Sequence, residues 1–237
     1  MLRIQSMNID LAGHSVLRGI DLELEPGQTV AVVGRNGAGK TTLLRGIMGL
    51  VPPRSGRLLL DGEDITRSPA SRRAAAGFGY APEDRVILPT LSVLQNIALP
   101  CEVLRLPRHE IRRRVDAVLA SVPQLEPMLA RSGAALSGGQ GKIVALARAL
   151  MVGVRFVLLD EPFQGLAPVL ARQYGDALRA LRVSHPQLCV VVTESNAALL
   201  ESVQSRTLHI ERGSITEPAS ATDADEVSTW TQRRTHK

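Results

Sequence analysis

Cysteine is scarce in this 237-residue chain: only Cys101 and Cys189 occur. They make no disulfide framework and no zinc-ligand spacing. Small buried hydrophobes in a reducing compartment is the reading that fits them. Aromatic residues make up 3%, which argues against stacking on a series of nucleobases. No apolar run approaches the ~18 residues that a membrane span needs. Met1 to Asp10 has no long apolar core behind a basic cluster, so no secretory signal is read there. A soluble, intracellular chain is expected.

What is present is ordinary for a globular protein: 44% hydrophobic and 22% charged residues. The length allows one domain with a sizeable core, or two small ones. Lys and Arg number 28 against 23 Asp and Glu, a formal net charge of +5. That excess suits an anionic ligand or a membrane surface and compels neither.

Apolar β-branched runs alternate with helical patterns. Thr29-Val30-Ala31-Val32-Val33 reads as a buried strand running into a Gly-rich turn. A helix follows, with Leu43, Leu44, Ile47 and Met48 on one face. Phe156 to Leu159 is a second strand, ending in Asp160-Glu161. Leu188 to Val192 is a third, ending in Thr193-Glu194. Continuous apolar strands predict a mainly parallel sheet of the α/β class, covered on both faces. Ligands in such sheets sit at the carboxyl ends of strands, where all three polar ends fall.

The flanks read differently. Residues 2–25 alternate as an antiparallel layer beside the main sheet, and Arg57 to Gly62 adds a strand and turn. From about residue 91 to 151 strand signals stop, which predicts a helical insertion. Arg212-Gly213-Ser214 is a tight-turn signal between two late strands. After Pro218 the chain is polar and aperiodic, so 218–237 is expected to be a mobile tail.

Gly34-Arg35-Asn36-Gly37-Ala38-Gly39-Lys40-Thr41 fits the phosphate-binding pattern G-x-x-x-x-G-K-[ST], with Thr42 next. Glycines let successive N–H groups wrap a phosphate, and the following helix adds its positive end. Lys40 is expected at the β- and γ-phosphates and the Thr41 hydroxyl on Mg²⁺. A chance Gly-rich turn is the bland alternative, opposed by Lys and Thr both in register. Asp160 can hold Mg²⁺ through water, and Glu161 can take a proton from an attacking water. Alone, an acidic pair ending a strand is commonplace.

Leu136-Ser137-Gly138-Gly139-Gln140 precedes an amphipathic helix, with Ser137 as a credible N-cap. Two glycines inside a helix start cost about 1 kcal/mol each relative to Ala. That cost points to close backbone approach, and a helix start with bare backbone is an anion site.

These three motifs, in this order, resemble the nucleotide-binding subunits of ATP-binding-cassette (ABC) transporters over roughly residues 2–217. The resemblance implies a P-loop NTPase core carrying residues 91–151 as a helical subdomain. It implies ATP and Mg²⁺ as ligands, with ATP hydrolysis as the reaction. Two such subunits face each other head to tail, so Ser137, Gly138, Gly139 and Gln140 would close on the partner's ATP. Implied further partners are two permeases at the cytoplasmic face of the membrane, and no nucleic acid.

Departures from the common pattern narrow the branch. Glu83 stands where most relatives carry Gln, beside the metal residues Thr41 and Asp160. Ala167 stands in place of Asp, and Glu194 in place of His. Pro82-Glu83, Gly165-Leu166-Ala167-Pro168 and Glu194-x-Asn196-Ala197 look like the branched-chain amino-acid and amide uptake ATPases. That branch implies a second, non-identical ATPase subunit and an external substrate-binding protein.

Glu194 takes the catalytic position of the His but cannot donate to a phosphate. At ~4 Å and an effective dielectric near 20 it would be repelled by about 4 kcal/mol. It is therefore expected to point away, to be protonated, or to be bridged by a cation or water. This site is expected to be the slower of two, with normal turnover the even alternative. Leu11 falls at the adenine-stacking position by alignment on Gly19, with His14 close by. Arg72-Arg73 and Arg112-Arg113-Arg114 are read as solvated faces. No physical account of Gly141 emerges from the sequence. A soluble ABC ATPase acting on ribosomes or DNA, and a nucleotide-gated subunit with little turnover, are the competing readings.

Overall fold

The computed structural model describes residues 1–200, 203 and 205–216. The expected tail, 218–237, lies outside them. In chain order the strands are β1 (Leu2–Leu11), β2 (His14–Leu24), β3 (Thr29–Val33), β4 (Ser55–Leu60), β5 (Glu63–Asp64), β6 (Phe78–Ala81), β7 (Phe156–Asp160), β8 (Cys189–Glu194), β9 (Arg206–Glu211) and β10 (Ser214–Thr216). The helices are α1 (Lys40–Met48), α2 (Ala70–Ala75), α3 (Val93–Val103), α4 (Arg108–Ser121), α5 (Gly138–Val152) and α6 (Pro168–Ser184).

Two sheets result. One is antiparallel, in the order β2-β1-β4-β5; the other runs β10-β9-β3-β8-β7-β6. The second is parallel except for the β9–β10 hairpin. Residues between β6 and β7 include three α-helices and no strand. β7 and β8 run through Asp160 and Glu194, so the acidic ends expected after the strands are their last residues.

The apolar runs explain the layering. Successive side chains of a strand point to opposite faces. Val30 and Val32, Phe156 and Leu158, and Cys189 and Val191 face the core shared with α1 and the antiparallel layer. Ala31 and Val33, Val157 and Leu159, and Val190 and Val192 face the core built by α3, α4, α5 and α6. Both faces are covered, which is why no polar residue interrupts these strands. Each large buried side chain contributes about 1.5–3 kcal/mol. Cys101 and Cys189 are free and buried within these cores.

One expectation is overturned. Arg73 is not on a solvated face; it is 2% exposed. Its guanidinium donates to the carbonyls of Gly46 (2.7 Å), Ile47 (2.6 Å), Ile65 (2.9 Å), Thr66 (2.9 Å) and Ser68 (3.0 Å). Two of these are at the C-terminal end of α1, where carbonyls lack helical partners and a cation is favoured. Burial pushes Arg73 down to about 10, which still leaves it charged near neutral pH. Arg72 beside it is exposed, as read. In the second run Arg112 and Arg113 are exposed, whereas Arg114 is half-buried and donates to the Met151 carbonyl at 2.7 Å.

Candidate functional site

β3 delivers the chain into the loop Gly34–Gly39, and α1 starts at Lys40. Gly37 and Gly39 have φ of 80° and 111°, a region that L side chains rarely adopt. A Cβ on Gly34 would lie 2.4 Å from the Ile210 carbonyl oxygen, so this turn admits only glycine. No side chain caps the start of α1, and its first N–H groups are left for an anion. The loop is fixed from outside by Gly213, whose N–H donates to the Ala38 carbonyl at 3.1 Å.

Lys40 is 5% exposed. Its Nζ donates to the Gly34 carbonyl at 2.6 Å and the Arg35 carbonyl at 3.1 Å, and lies 3.0 Å from Glu161 Oε1. Thr41 Oγ1 donates to Asp160 Oδ1 at 3.1 Å. Thr193 Oγ1 donates to the same oxygen at 2.8 Å, and Tyr80 OH donates to Oδ2 at 3.1 Å. Parallel pairing of β6, β7 and β8 brings these groups to one end of the sheet.

A cleft of about 340 Å³ opens here. It is lined by Val16, Asn36, Gly37, Gly39, Lys40, Thr41, Thr42, Glu83 and Glu161. Glu83, in the loop after β6, therefore shares the cleft with Thr41. Leu11 does not line it: it ends β1, is 39% exposed, and Val16 of β2 takes the wall instead.

Glu194 does not line this cleft either. It is fully buried, and Oε1 accepts the Phe163 N–H at 2.7 Å while Oε2 has no partner. Burial pushes its carboxyl up to about 8, opposed by the Phe163 hydrogen bond and raised further by Glu161 beside it. Of the three arrangements expected for Glu194, burial away from the cleft and a raised carboxyl fit pointing away and protonation.

The Leu136–Gln140 segment stands apart. Ser137 caps α5: its Oγ accepts the Gln140 N–H at 3.3 Å, and Gln140 Oε1 accepts the Ser137 N–H at 3.0 Å. Ser137 and Gly138 are exposed, and none of Ser137, Gly138, Gly139 and Gln140 lines the cleft. The glycines have internal reasons as well. A Cβ on Gly138 would meet Arg85 Nη1 at 2.7 Å, and one on Gly139 would meet Leu170 Cδ1 at 2.3 Å. Gly141, unexplained by sequence, packs against Arg85, whose Cδ a Cβ there would meet at 3.3 Å.

Hard oxygen donors at Thr41 and Asp160 suit Mg²⁺, which keeps waters and takes few protein ligands. Among the described residues no group of three or more His, Cys, Asp or Glu could hold a metal on its own. Tyr80, Thr193, Ser195 and Lys142 are site residues that sequence reading missed. Only Thr193 carried a signal, as a polar residue ending an apolar strand.

Comparison with known proteins agrees with this geometry. The ABC transporter family model matches residues 17–164. The lipopolysaccharide export system ATP-binding protein LptB of Acidithiobacillus ferridurans is 34% identical, over 83% of this chain and 80% of that one. The probable branched-chain amino acid transport ATP-binding protein LivF of Archaeoglobus fulgidus is 32% identical, over 83% and 82%. The structure of cbiO1 from Clostridium perfringens, part of the ABC transporter complex cbiONQ, superposes with a TM-score of 0.79 at 25% identity, covering 98% and 94%. No helix among the described residues is long and apolar enough to cross a membrane. With its phosphate loop, strand-end acids and α/β sheet in this arrangement, the chain belongs to the ABC transporter family, as an ATP-binding and ATP-hydrolysing subunit.

Proposed function

We propose that the chain powers an importer for branched-chain amino acids or related small solutes, from the cytoplasmic face of the membrane. The observation that carries the ATPase chemistry is the convergence of Lys40, Thr41, Asp160 and Glu161 at one sheet end. Gly34 to Thr42 wrap the phosphates, and Lys40 binds the β- and γ-phosphates. Thr41 and Asp160, with Glu83 in the same region, would hold Mg²⁺, which when bound neutralises charge on the phosphates. Glu161 accepts the proton of the attacking water. Residues 1–217 act as one ATPase domain, with 91–151 as its helical subdomain.

A second ATPase subunit completes each site. Ser137 and Gly138 are exposed and outside the cleft, which supports a role toward a partner's ATP. Glu194 accepts the Phe163 N–H and lies outside the cleft, which supports a non-identical partner that carries the usual His. The import reading rests on Pro82-Glu83, Gly165-Leu166-Ala167-Pro168 and Glu194-x-Asn196-Ala197, and on the likeness to LivF. It implies two permeases and an external substrate-binding protein. The buried Glu194 also favours a second reading, a subunit that binds ATP with little turnover.

Capture of the tagged chain from solubilised membranes tests the assembly. Two polytopic proteins and a His-bearing ATPase are expected. Recovery without any membrane protein overturns it.

A further inference from the structure

Glu161 holds an unusual backbone conformation, with φ of +47°. A non-glycine residue persists there only when its surroundings over-determine it. Its N–H donates to the Thr193 carbonyl at 3.0 Å and reaches Thr193 Oγ1 at 3.3 Å. Its Oε2 accepts the Ser195 N–H at 3.1 Å and the Ser195 hydroxyl at 3.2 Å. These holds come from β8 and the residue just after it.

The carbonyl of Glu161 is held from another element. Lys142 Nζ, in the second turn of α5, donates to it. Lys142 is half-buried, and the charged groups around it are Glu194, Glu83, Arg85 and Glu161. The sequence supplies no reason for a lysine among the apolar residues of this helix. The structure does, because only a long donor spans from α5 to that carbonyl.

We propose that Lys142 is a positioning residue for hydrolysis. By holding the Glu161 carbonyl it fixes the peptide in its left-handed conformation and makes the general base move with α5. This rests on the reading of Glu161 as general base. Since Ser137 caps the start of α5, the same bond joins one site's base to the segment that meets the partner's ATP. A role limited to charge balance or packing acts on stability and leaves the hydrolytic step alone.

Steady-state ATP hydrolysis by the intact chain with its co-purified subunits tests this, in Lys142→Met, Lys142→Gln and Lys142→Arg. Met and Gln are expected to lower kcat about ten- to a hundredfold, the scale of a small misplacement of a reacting group. KM for ATP is expected to stay within about twofold, and Arg to restore most of kcat. Retention of wild-type kcat in Lys142→Met overturns the proposal. So does a loss shared by kcat, KM and melting temperature that Arg does not restore. Should Lys142→Met fold poorly, Lys142→Gln supplies the same comparison. Glu161→Gln, run alongside, reads the general-base assignment by itself.

Discussion

Lys40 and Glu161 form a buried ion pair, 3.0 Å from Nζ to Oε1, with each side chain 5% exposed. The two carbonyls of Gly34 and Arg35 take up the remaining donors of the ammonium. Phosphate must therefore compete with Glu161 for Lys40. Glu161→Gln removes that competitor and also the proposed proton acceptor. Turnover is expected to fall about 10²–10⁴-fold. ATP affinity is expected to rise in the same variant. Equilibrium titration with ATP beside a phosphate-release assay checks both, and unchanged turnover removes Glu161 from the role.

Asp160 is restrained at both oxygens, by Thr41 and Thr193 on one and Tyr80 on the other. Asp160→Asn keeps the shape and loses the charge. The Mg²⁺ concentration for half-maximal turnover is expected to rise by about tenfold or more, since Mg²⁺ relies on few protein oxygens. Chelation of divalent ions is expected to stop turnover in both proteins. A metal titration of the hydrolysis rate reads the difference, and equal dependence in the two proteins counts against Asp160.

Glu194 makes stability depend on pH. Its carboxyl, raised from 4.5 to about 8, binds its proton more tightly in the fold than in the unfolded chain. Stability from this group is complete below 4.5 and is lost as pH rises through about 8. Each pH unit in that window costs up to about 1.4 kcal/mol. Glu194→Gln is expected to flatten this slope. Urea midpoints at several pH values compare the two, and parallel curves contradict it.

Arg73 closes the far end of the helix that begins at Lys40. Arg73→Met takes the guanidinium from five carbonyls, of which those of Gly46 and Ile65 keep a backbone N–H, from Gly49 and Ser68. At about 1 kcal/mol for each group, a loss of roughly 3–5 kcal/mol is expected. Denaturant unfolding measures it, and a loss under about 1 kcal/mol means that water replaces the guanidinium.

Local features were legible in the sequence, and features needing two distant segments were not. The run from Thr29 to Met48 carries its strand, glycines and helix within one short stretch, so its reading stands. Asp160 and Glu161 were legible because they end an apolar run. Arg73 was misread because a charge pair on a short helix says nothing about what packs over it. Leu11 was placed by alignment on Gly19; it ends β1 outside the cleft, whose wall includes Val16. Lys142 reaches Glu161 only because α5 lies against β7, a relationship that no local pattern encodes.

The position of β3 bears on how the chain is made. Its neighbours in the sheet are β8 and β9, both from residue 189 onward. The strand that feeds the glycine-rich loop is thus translated before either neighbour and stays unpaired until residues 189–211 emerge. Gly213, which ties down Ala38, arrives later still. A nascent chain lacking its final strands carries the whole loop sequence with two open sheet edges beside it, a state prone to association. The loop after β3 therefore gains its sheet neighbours and its outer tie only once residues 189–213 are in place.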